Sequence, residues 1–431
     1  MGSTVLLVTT CRWYTTARLA IAFSDAGCRV DVVCPRGHPV RKAGVVHKQY
    51  SYQGTRPLQS LQRAIDSAKP DLLVPCDDHA TMYLHQLHAS SPSPETRSVI
   101  ESSLGDPQSF PAYTARTRFL LRAHEAGIPV PETAEVADLA ALRAWLATFG
   151  YPAYLKVDAS SGGVGVKLVN DIESAQRAFE QLAAPPKFVR VIKRLLINSD
   201  TSLLLPFLKR LRSVVSVQKA IRGVEANSAI ACWRGRLLAC LSVQVLERRD
   251  AKGPATVVRI VENPQMRRTA EKVSACFGLS GLFGLDYIID EQTGIPNLIE
   301  FNGRATQTCH LDLGLGKNPV DALVGGVSGA SPRCLRVTDS DTIALFPQEW
   351  KRDPASSYLR TGFHDVPWSY PDLVRACVKR RLHEEKWLSY EKWQSFWEPA
   401  GRRSSSRIQH PVIKAPRPSG DLTSIKPPQG S

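Results

Sequence analysis

A chain of 431 residues with 43% hydrophobic content is too long for one compact core, so two or three packed units are expected. It has no run of eighteen apolar residues, which excludes a membrane-spanning helix. Its ten cysteines never occur in a CxxC spacing, which argues against a disulfide framework or a zinc site. Reduced thiols in a cytoplasmic protein are the simpler interpretation.

The net charge of +15 is unevenly distributed along the chain. Residues 401–431 supply about a third of the excess, and their composition predicts a disordered basic tail. The remainder favours anionic ligands such as nucleotides and phosphates. Because the basic residues are not interleaved with aromatic ones, nucleic acid is not the expected partner.

Residues 1–110 alternate between strand and helix patterns. Strands at 4–10, 28–35 and 71–78 are separated by helices, which implies right-handed crossovers and a parallel sheet. Ligands bind beyond the carboxyl ends of such strands, although polar loop tips are equally common there. The candidate cleft residues are Thr10, Cys11, Arg12, Cys76, Asp77 and Asp78.

The pattern changes after residue 110. An amphipathic helix over 116–126 stops at Gly127, and a second helix begins at an Asp138 N-cap and stops at Gly150. Residues 151–169 then read as strand, glycine-rich loop, strand. Neither a Walker loop nor a dinucleotide fingerprint returns directly to a strand, so both are excluded.

The glycine-rich loop is a candidate phosphate-binding element. Its lack of bulky side chains would let backbone amides close over a nucleotide, while a purely structural hairpin is the alternative. Lys156, on the strand before it, could reach a phosphate. The loop residues are Ser160, Ser161, Gly162, Gly163, Val164 and Gly165.

Residues 281–304 predict a β-hairpin that carries a second polar set. The turn at 290–296 brings Asp286 and Glu300 onto neighbouring antiparallel strands. Period-two alternation puts Glu300, Asn302 and Arg304 on one face. Two carboxylates and an amide oxygen suit Mg²⁺, and Arg304 suits a phosphoryl group or a substrate carboxylate.

The C-terminal part is less regular. Residues 331–400 predict a mostly helical extension rich in Trp and Arg, followed by the basic tail. His310, just past the metal strand, is a candidate to line an acceptor pocket, although a lone histidine is more often structural.

Four segments resemble, in order and spacing, the motifs of the ATP-grasp superfamily, and specifically its carboxylate–amine ligases. They are ARTRFLLRAHEAGIPVPET, YPAYLKVDASSGGVGVKLV, VQKAIRGVEANSAI and GLDYIIDEQTGIPNLIEFNGR. The resemblance covers 111–330. It implies an α/β pre-ATP-grasp domain followed by two α+β subdomains that clamp ATP, with 150–217 covering the phosphates.

The resemblance also assigns roles to single residues. Lys156 and Arg116 would contact ATP phosphates, together with the loop from Ser160 to Gly165. Lys219 and Ile221 would offer backbone groups to the adenine, and Glu225 would bind the ribose. The implied magnesium ligands are Asp286, Glu300 and Asn302. The implied catalytic residues are Arg304 and Lys156.

The sequence departs from the usual pattern at three positions. Arg116 stands where lysine is usual, Lys219 replaces an acid often found in the hinge, and Gly303 replaces a frequent proline. The first substitution keeps the positive charge but changes its geometry.

The resemblance implies an enzyme that uses ATP and Mg²⁺, or Mn²⁺ in its place, to join a carboxylate to an amine through an acyl phosphate, with amino acids among the candidate substrates. A cytoplasmic homodimer is the implied assembly. Kinase or carboxylase chemistry on a small carboxylate is one alternative. A protein that binds nucleic acid or an anionic surface through basic residues at 375–407 is another.

Overall fold

The structure is a computed structural model that describes residues 2–157, 165–185, 188, 207, 209–210, 212–250 and 253–379. Within these residues the strands form three sheets of four, four and seven strands. No helix among them is both long and apolar enough to cross a membrane.

The N-terminal sheet is parallel, as predicted, with strand order β3-β2-β1-β4. Strands β1 and β4 are buried along almost their whole length, which explains their continuous apolar runs. The sequence analysis did not identify β3. The strands are β1 Thr4–Val8, β2 Arg29–Cys34, β3 Val46–Ser51 and β4 Leu72–Pro75, with crossover helices α1 Thr15–Asp25 and α2 Pro57–Ala68.

Four further helices lead from this sheet to the second half of the molecule. Asp77 caps the first of them by accepting from the backbone N–H of Ala80. These helices are α3 Asp78–Ser90, α4 Pro94–Leu104, α5 Phe110–Thr114 and α6 Arg116–Glu125; short 3-10 helices occupy Pro39–Lys42 and Pro107–Ser109.

The second sheet is antiparallel, with order β5-β8-β6-β7, and forms its own core with two helices. Asp138 caps the first helix by accepting from the backbone N–H of Ala141 at 2.8 Å, as predicted. The strands are β5 Thr133–Val136, β6 Ala153–Val157, β7 Val166–Val169 and β8 Val215–Lys219, and the helices are α7 Leu139–Phe149 and α8 Ile172–Ala183.

The third sheet has order β13-β12-β9-β10-β11-β14-β15. Its strands are β9 Gly223–Trp233, β10 Arg236–Arg248, β11 Ala255–Ile260, β12 Gly281–Asp290, β13 Pro296–Asn302, β14 Thr342–Ala344 and β15 Phe363–His364. The accompanying helices are α9 Pro264–Cys276, α10 Pro319–Ser328, α11 Gln348–Arg352, α12 Tyr358–Thr361 and α13 Pro371–Lys379.

The predicted extension from 331 onward contributes more than helices. Its part up to residue 379 contains three short helices, but β14 and β15 also add two strands to the large sheet. The remainder of the extension, and the tail over 401–431, lie outside the described residues.

One hydrophobic core crosses the predicted boundary at residue 110. It includes Leu6 and Leu84 from the N-terminal part, Phe119 from α6, and Phe277 and Phe301 from the large-sheet part. Phe119 stacks on both of these later rings, with centroids 4.2 and 4.3 Å away. The parallel sheet is thereby fixed directly to the elements that carry the hairpin over 281–304.

Candidate active site

Two carboxylates face each other at the edge of the large sheet. Asp286 on β12 is paired directly with Glu300 on β13, and Gly284 is paired with Asn302. The Asn302 amide nitrogen donates to Asp286 Oδ2 at 2.9 Å. The structure therefore brings together the three residues predicted as metal ligands.

The electrostatics of this pair favour a cation. Burial, and then the negative charge of Glu300, raises the pKa of the Asp286 carboxyl to about 6. Among the described residues no cluster of three or more His, Cys, Asp or Glu forms a metal cage. Two carboxylates with one amide nevertheless fit Mg²⁺, which takes few protein ligands and completes its shell with waters and phosphate oxygens.

Two basic side chains from other elements interact electrostatically with the carboxylate pair. Arg116 at the start of α6 forms an ion pair with Glu300, with 2.9 Å between Nη2 and Oε1. Lys156 on β6 donates from Nζ to Gln218 Oε1 on β8 at 2.6 Å. Burial lowers the pKa of Lys156 to about 8, partly opposed by the charge of Glu300.

Arg304 lies just beyond β13 and connects the hairpin to the parallel sheet. Its Nε donates to Asp78 Oδ1 at 2.9 Å, and its Nη2 donates to Asn302 Oδ1 at 3.3 Å. Burial raises the pKa of Asp78, but Arg304 and then Arg116 outweigh this effect and hold the pKa below its usual value. Asp78 thus extends the site into the N-terminal part of the chain.

The loop after β1 is fixed beside this contact. Asp77 accepts hydrogen bonds from the Thr9 hydroxyl at 2.9 Å and from the Thr10 hydroxyl at 2.8 Å. The backbone N–H of Thr10 donates to the same carboxylate at 2.7 Å. Cys11 and Arg12 follow in this loop, and Arg12 Nε donates to the carbonyl of Arg36. Of the six cleft candidates, Asp78 is the one that contacts Arg304.

Glu225 on β9 lines an open cleft of about 550 Å³. It forms an ion pair with Arg248 at the end of β10. The sequence analysis did not anticipate this partner for the predicted ribose-binding acid. The other lining residues are Gly223, Val224, Val245, Leu246, Glu247 and Asp250.

The predicted adenine-binding hinge connects the four-stranded antiparallel sheet to the seven-stranded sheet. Lys219 ends β8, and its backbone N–H donates to the carbonyl of Glu132 at 2.9 Å. The N–H of Ala220 donates to the carbonyl of Pro152 at 3.0 Å. Ile221 follows as a partly exposed residue before β9. Since the Lys219 N–H is already engaged, a ligand would have to use other backbone groups of the hinge.

No protein-family model and no curated protein matches this chain. Solved structures do match it. The biotin carboxylase domain dimer of 2-oxoglutarate carboxylase from Hydrogenobacter thermophilus, in complex with MgADP, ADP and bicarbonate, is 15% identical with a TM-score of 0.56. That match covers 78% of this chain and 72% of the other.

Two carboxyaminoimidazole synthetases give similar matches. The enzyme from Staphylococcus aureus, complexed with ADP, is 15% identical with a TM-score of 0.54, covering 78% of this chain and 79% of the other. The enzyme from Aspergillus clavatus, with ADP and 5-aminoimidazole ribonucleotide, is 16% identical with a TM-score of 0.55, covering 75% and 77%. The chain has the ATP-grasp fold. The predicted fold class is thereby confirmed.

The phosphate-covering loop expected in the ATP-grasp fold falls almost entirely outside the described residues. This applies to Ser160, Ser161, Gly162, Gly163 and Val164. Gly165 is described, and its carbonyl accepts from the backbone N–H of Val157 at 3.1 Å, closing the base of the hairpin.

A second polar cluster lies around His310. Asp365 forms an ion pair with Arg18 on α1, and its other oxygen lies 2.7 Å from His310 Nε2. Burial lowers the pKa of His310, although Asp365 opposes this shift. Burial raises the pKa of Asp365, but Arg18 and then His310 outweigh it and hold the pKa below its usual value. His310 is thus buried and paired with Asp365, which agrees with the interpretation of this histidine as a structural residue.

Sequence reasoning missed three of these partners. Gln218 carried a usable signal, because it is a polar residue within the apolar strand VSVQK. Arg248 lies on the strand that follows Glu225 in the same antiparallel hairpin, so a prediction of that hairpin could have found it. Asp365 carried no signal, since its partner Arg18 lies 347 residues away.

Proposed function

We propose that this protein is a Mg-ATP-dependent carboxylate–amine ligase that forms an amide or peptide bond and releases ADP and phosphate. The supporting observation is the convergence of the opposed carboxylates Asp286 and Glu300 with three cationic side chains. Arg116, Lys156 and Arg304 come from three different elements, and each has contacts or charge interactions with this pair or its neighbour Asn302. A site of this kind suits the transfer of a highly charged phosphoryl group.

Asp286, Glu300 and Asn302 would hold Mg²⁺, for which Mn²⁺ is a substitute. Bound there, the metal would neutralise charge on the triphosphate. Lys156, with a pKa of about 8, is largely protonated at pH 7 and would contact a phosphate oxygen. Arg116 would add a second positive charge on the same side.

Arg304 would hold the oxyanion of the substrate beside the terminal phosphate. Its guanidinium is held by Asp78 and Asn302, so its position is fixed before the substrate binds. The substrate carboxylate would attack the γ-phosphorus to give an acyl phosphate and ADP. The amine would then attack the acyl carbon, and phosphate would leave.

Carboxylase-type chemistry is the second candidate. It is favoured by the structural neighbours, one of which was crystallised with bicarbonate and another with 5-aminoimidazole ribonucleotide. In that case bicarbonate would take the place of the organic acid. A kinase acting on a small carboxylate would use the same phosphoryl-transfer site and stop after the first step.

Hydroxylamine trapping, repeated with an amine in place of hydroxylamine, separates these candidates. The purified full chain is incubated with Mg-ATP, hydroxylamine and a panel of small carboxylates that includes amino acids, and hydroxamate and ADP are measured. A ligase gives both products with one acid. A kinase that phosphorylates the carboxylate gives the same two products, because its acyl phosphate also reacts with hydroxylamine, but it forms no amide when an amine replaces hydroxylamine. A carboxylase releases ADP with bicarbonate but yields no hydroxamate from organic acids. Amide formation with AMP and pyrophosphate would contradict the acyl-phosphate mechanism.

We also propose a cytoplasmic homodimer, because the biotin carboxylase neighbour is a domain dimer. Sedimentation at micromolar concentration tests this assembly.

A further inference from the structure

The start of α1 is a buried helix N-terminus. The helix spans eleven residues and follows β1 at the carboxyl edge of the parallel sheet. The side chain of its N-cap, Tyr14, does not bond to the first turn, and that turn contains no acidic residue. Thr15 and Thr16 are 2% and 0% exposed, so bulk water does not readily reach their backbone groups. Such an end carries partial positive charge and N–H groups that need an acceptor.

Buried side-chain donors provide an independent observation at this position. The Thr15 hydroxyl, the Arg18 Nε and the Thr308 hydroxyl have no hydrogen-bond partner in the described part of the chain. A first-turn threonine has no helical carbonyl four residues earlier to accept from its hydroxyl. Thr308 is only 1% exposed. Buried polar groups are normally satisfied, so three unpartnered donors call for an explanation.

One of the three donors, Arg18, belongs to an ionic cluster, and the other two lie close to members of that cluster along the chain. Arg18 lies one turn after Thr15 on the same face of α1. The Arg18 guanidinium pairs with Asp365, whose second oxygen lies 2.7 Å from His310 Nε2. Thr308 is two residues before His310, on the loop that begins at Arg304. This chain of contacts brings the face of α1 and the loop together.

The ionic cluster leaves the donors free for a ligand. The charge of Asp365 is already shared between Arg18 and His310, and the unpartnered atoms nearby are the two threonine hydroxyls, Arg18 Nε and His310 Nδ1. Hydroxyls, backbone N–H groups and a guanidinium N–H can all be satisfied at once by the oxygens of an anion. Thr16 is not needed, because its hydroxyl lies near the Cys76 thiol.

We propose that Thr15, Arg18 and Thr308 form a subsite for an oxyanion group of the substrate, a second carboxylate or a phosphate distinct from the carboxylate that is activated. The assignment of this group to the substrate rests on the proposed ligase function. The binding of the anion does not, because none of these three residues belongs to the carboxylate pair or the nucleotide cleft.

Titration calorimetry without nucleotide tests this subsite. The full chain is titrated with inorganic phosphate and, separately, with malonate, at constant ionic strength set with chloride. We expect saturable binding of at least one of the two anions. Thr15→Val and Thr308→Val, which remove a hydroxyl at nearly constant volume, should each weaken that binding tenfold or more. Thr15→Ser, which keeps the hydroxyl, should stay within threefold of wild type.

Thr269→Val is the matched control. Thr269 is a buried threonine on α9, which packs against β9 and β10. The affinity of the Thr269→Val variant for the anion should equal that of the wild-type protein.

Three results would overturn the proposal. They are the absence of saturable binding to the wild-type chain, equal affinity of the valine variants, and loss of affinity in Thr269→Val as large as in Thr15→Val. The first needs no variant, so the proposal stays testable if a valine variant does not fold. Binding of phosphate but not malonate would indicate that the substrate is a phosphorylated acid. Binding of malonate but not phosphate would indicate that it is a dicarboxylic acid. Anion binding without ADP release or hydroxamate formation would contradict the ligase function and leave the subsite standing.

Discussion

Glu300 has two interactions of opposite sign within the site. It is attracted to Arg116 at 2.9 Å and lies opposite Asp286, whose pKa it helps to raise. A divalent cation between the carboxylates would turn the repulsion into attraction.

We therefore expect Glu300→Ala to reduce ATP turnover at least hundredfold with the fold intact, because a direct metal ligand is lost. Steady-state ADP release and circular dichroism measure the two quantities. Asp290→Ala is the control, since Asp290 belongs to the same hairpin but caps its turn through Thr293. More than about a tenth of wild-type turnover in Glu300→Ala would rule out metal binding at this strand.

Arg304 should act mainly on the reacting group. Arg304→Met is expected to leave ATP affinity within a few-fold and to cut hydroxamate formation about hundredfold, or roughly 3 kcal/mol of transition-state stabilisation. Asp78→Asn, which weakens the support of Arg304 and leaves Arg304 itself in place, should have a smaller effect in the same direction. Equal losses in ATP affinity and hydroxamate yield would instead assign Arg304 to nucleotide binding.

At the scale of elements, the close approach of the loop after β13 to strand β12 decides how Asn302 is placed. A side chain at Gly284 would bring its Cβ to 2.3 Å from Thr306 Cγ2 and 3.3 Å from Asn302 Cβ. Only glycine allows the loop to lie this close to the strand.

Gly284→Ala is accordingly expected to destabilise the protein by about 1–3 kcal/mol and to lower turnover by displacing Asn302 and Arg304. Urea unfolding and ADP release measure both effects. The double variant Gly284→Ala/Thr306→Ser removes the methyl group that clashes and should recover most of the lost stability. If the double variant were no more stable than the single one, the steric explanation would be wrong.

At the scale of the whole molecule, Asp365 connects the two ends of the described chain. It joins Arg18 in the N-terminal part to His310 in the loop after β13. Breaking a buried ion pair leaves an uncompensated charge, which is costly.

Asp365→Asn should reduce the free energy of unfolding by about 3 kcal/mol at pH 7. The folded pKa of Asp365 lies below its unfolded value, so this contribution is present at neutral pH and is lost as pH falls through about 4 toward the folded pKa. The difference between wild type and variant in urea unfolding should therefore shrink in acid.

Asp372→Asn is the matched control, because Asp372 forms an exposed pair with Arg375. It should change stability by less than about 1 kcal/mol at either pH. A difference for Asp365→Asn that persists undiminished at pH 3 would contradict the ionic origin of the effect.

The sequence by itself determined the features that depend on near neighbours. Hydrophobic periodicity predicted the parallel sheet and the strands around the glycine-rich loop. The cap at Asp138 set the start of a helix. The short turn at 290–296 set the pairing of Asp286 with Glu300, since these two residues are only 14 positions apart in the sequence. The ordered motifs then predicted the ATP-grasp fold.

The tertiary structure alone decided which distant side chains meet. Arg304 pairs with Asp78 across 226 residues, Lys156 with Gln218 across 62, and Arg18 with Asp365 across 347. Local hydrogen bonding and periodicity carry no information about such contacts. They are set by how the shared core packs the parallel sheet, α6 and the large sheet together, and the packing of that core is a property of the whole chain.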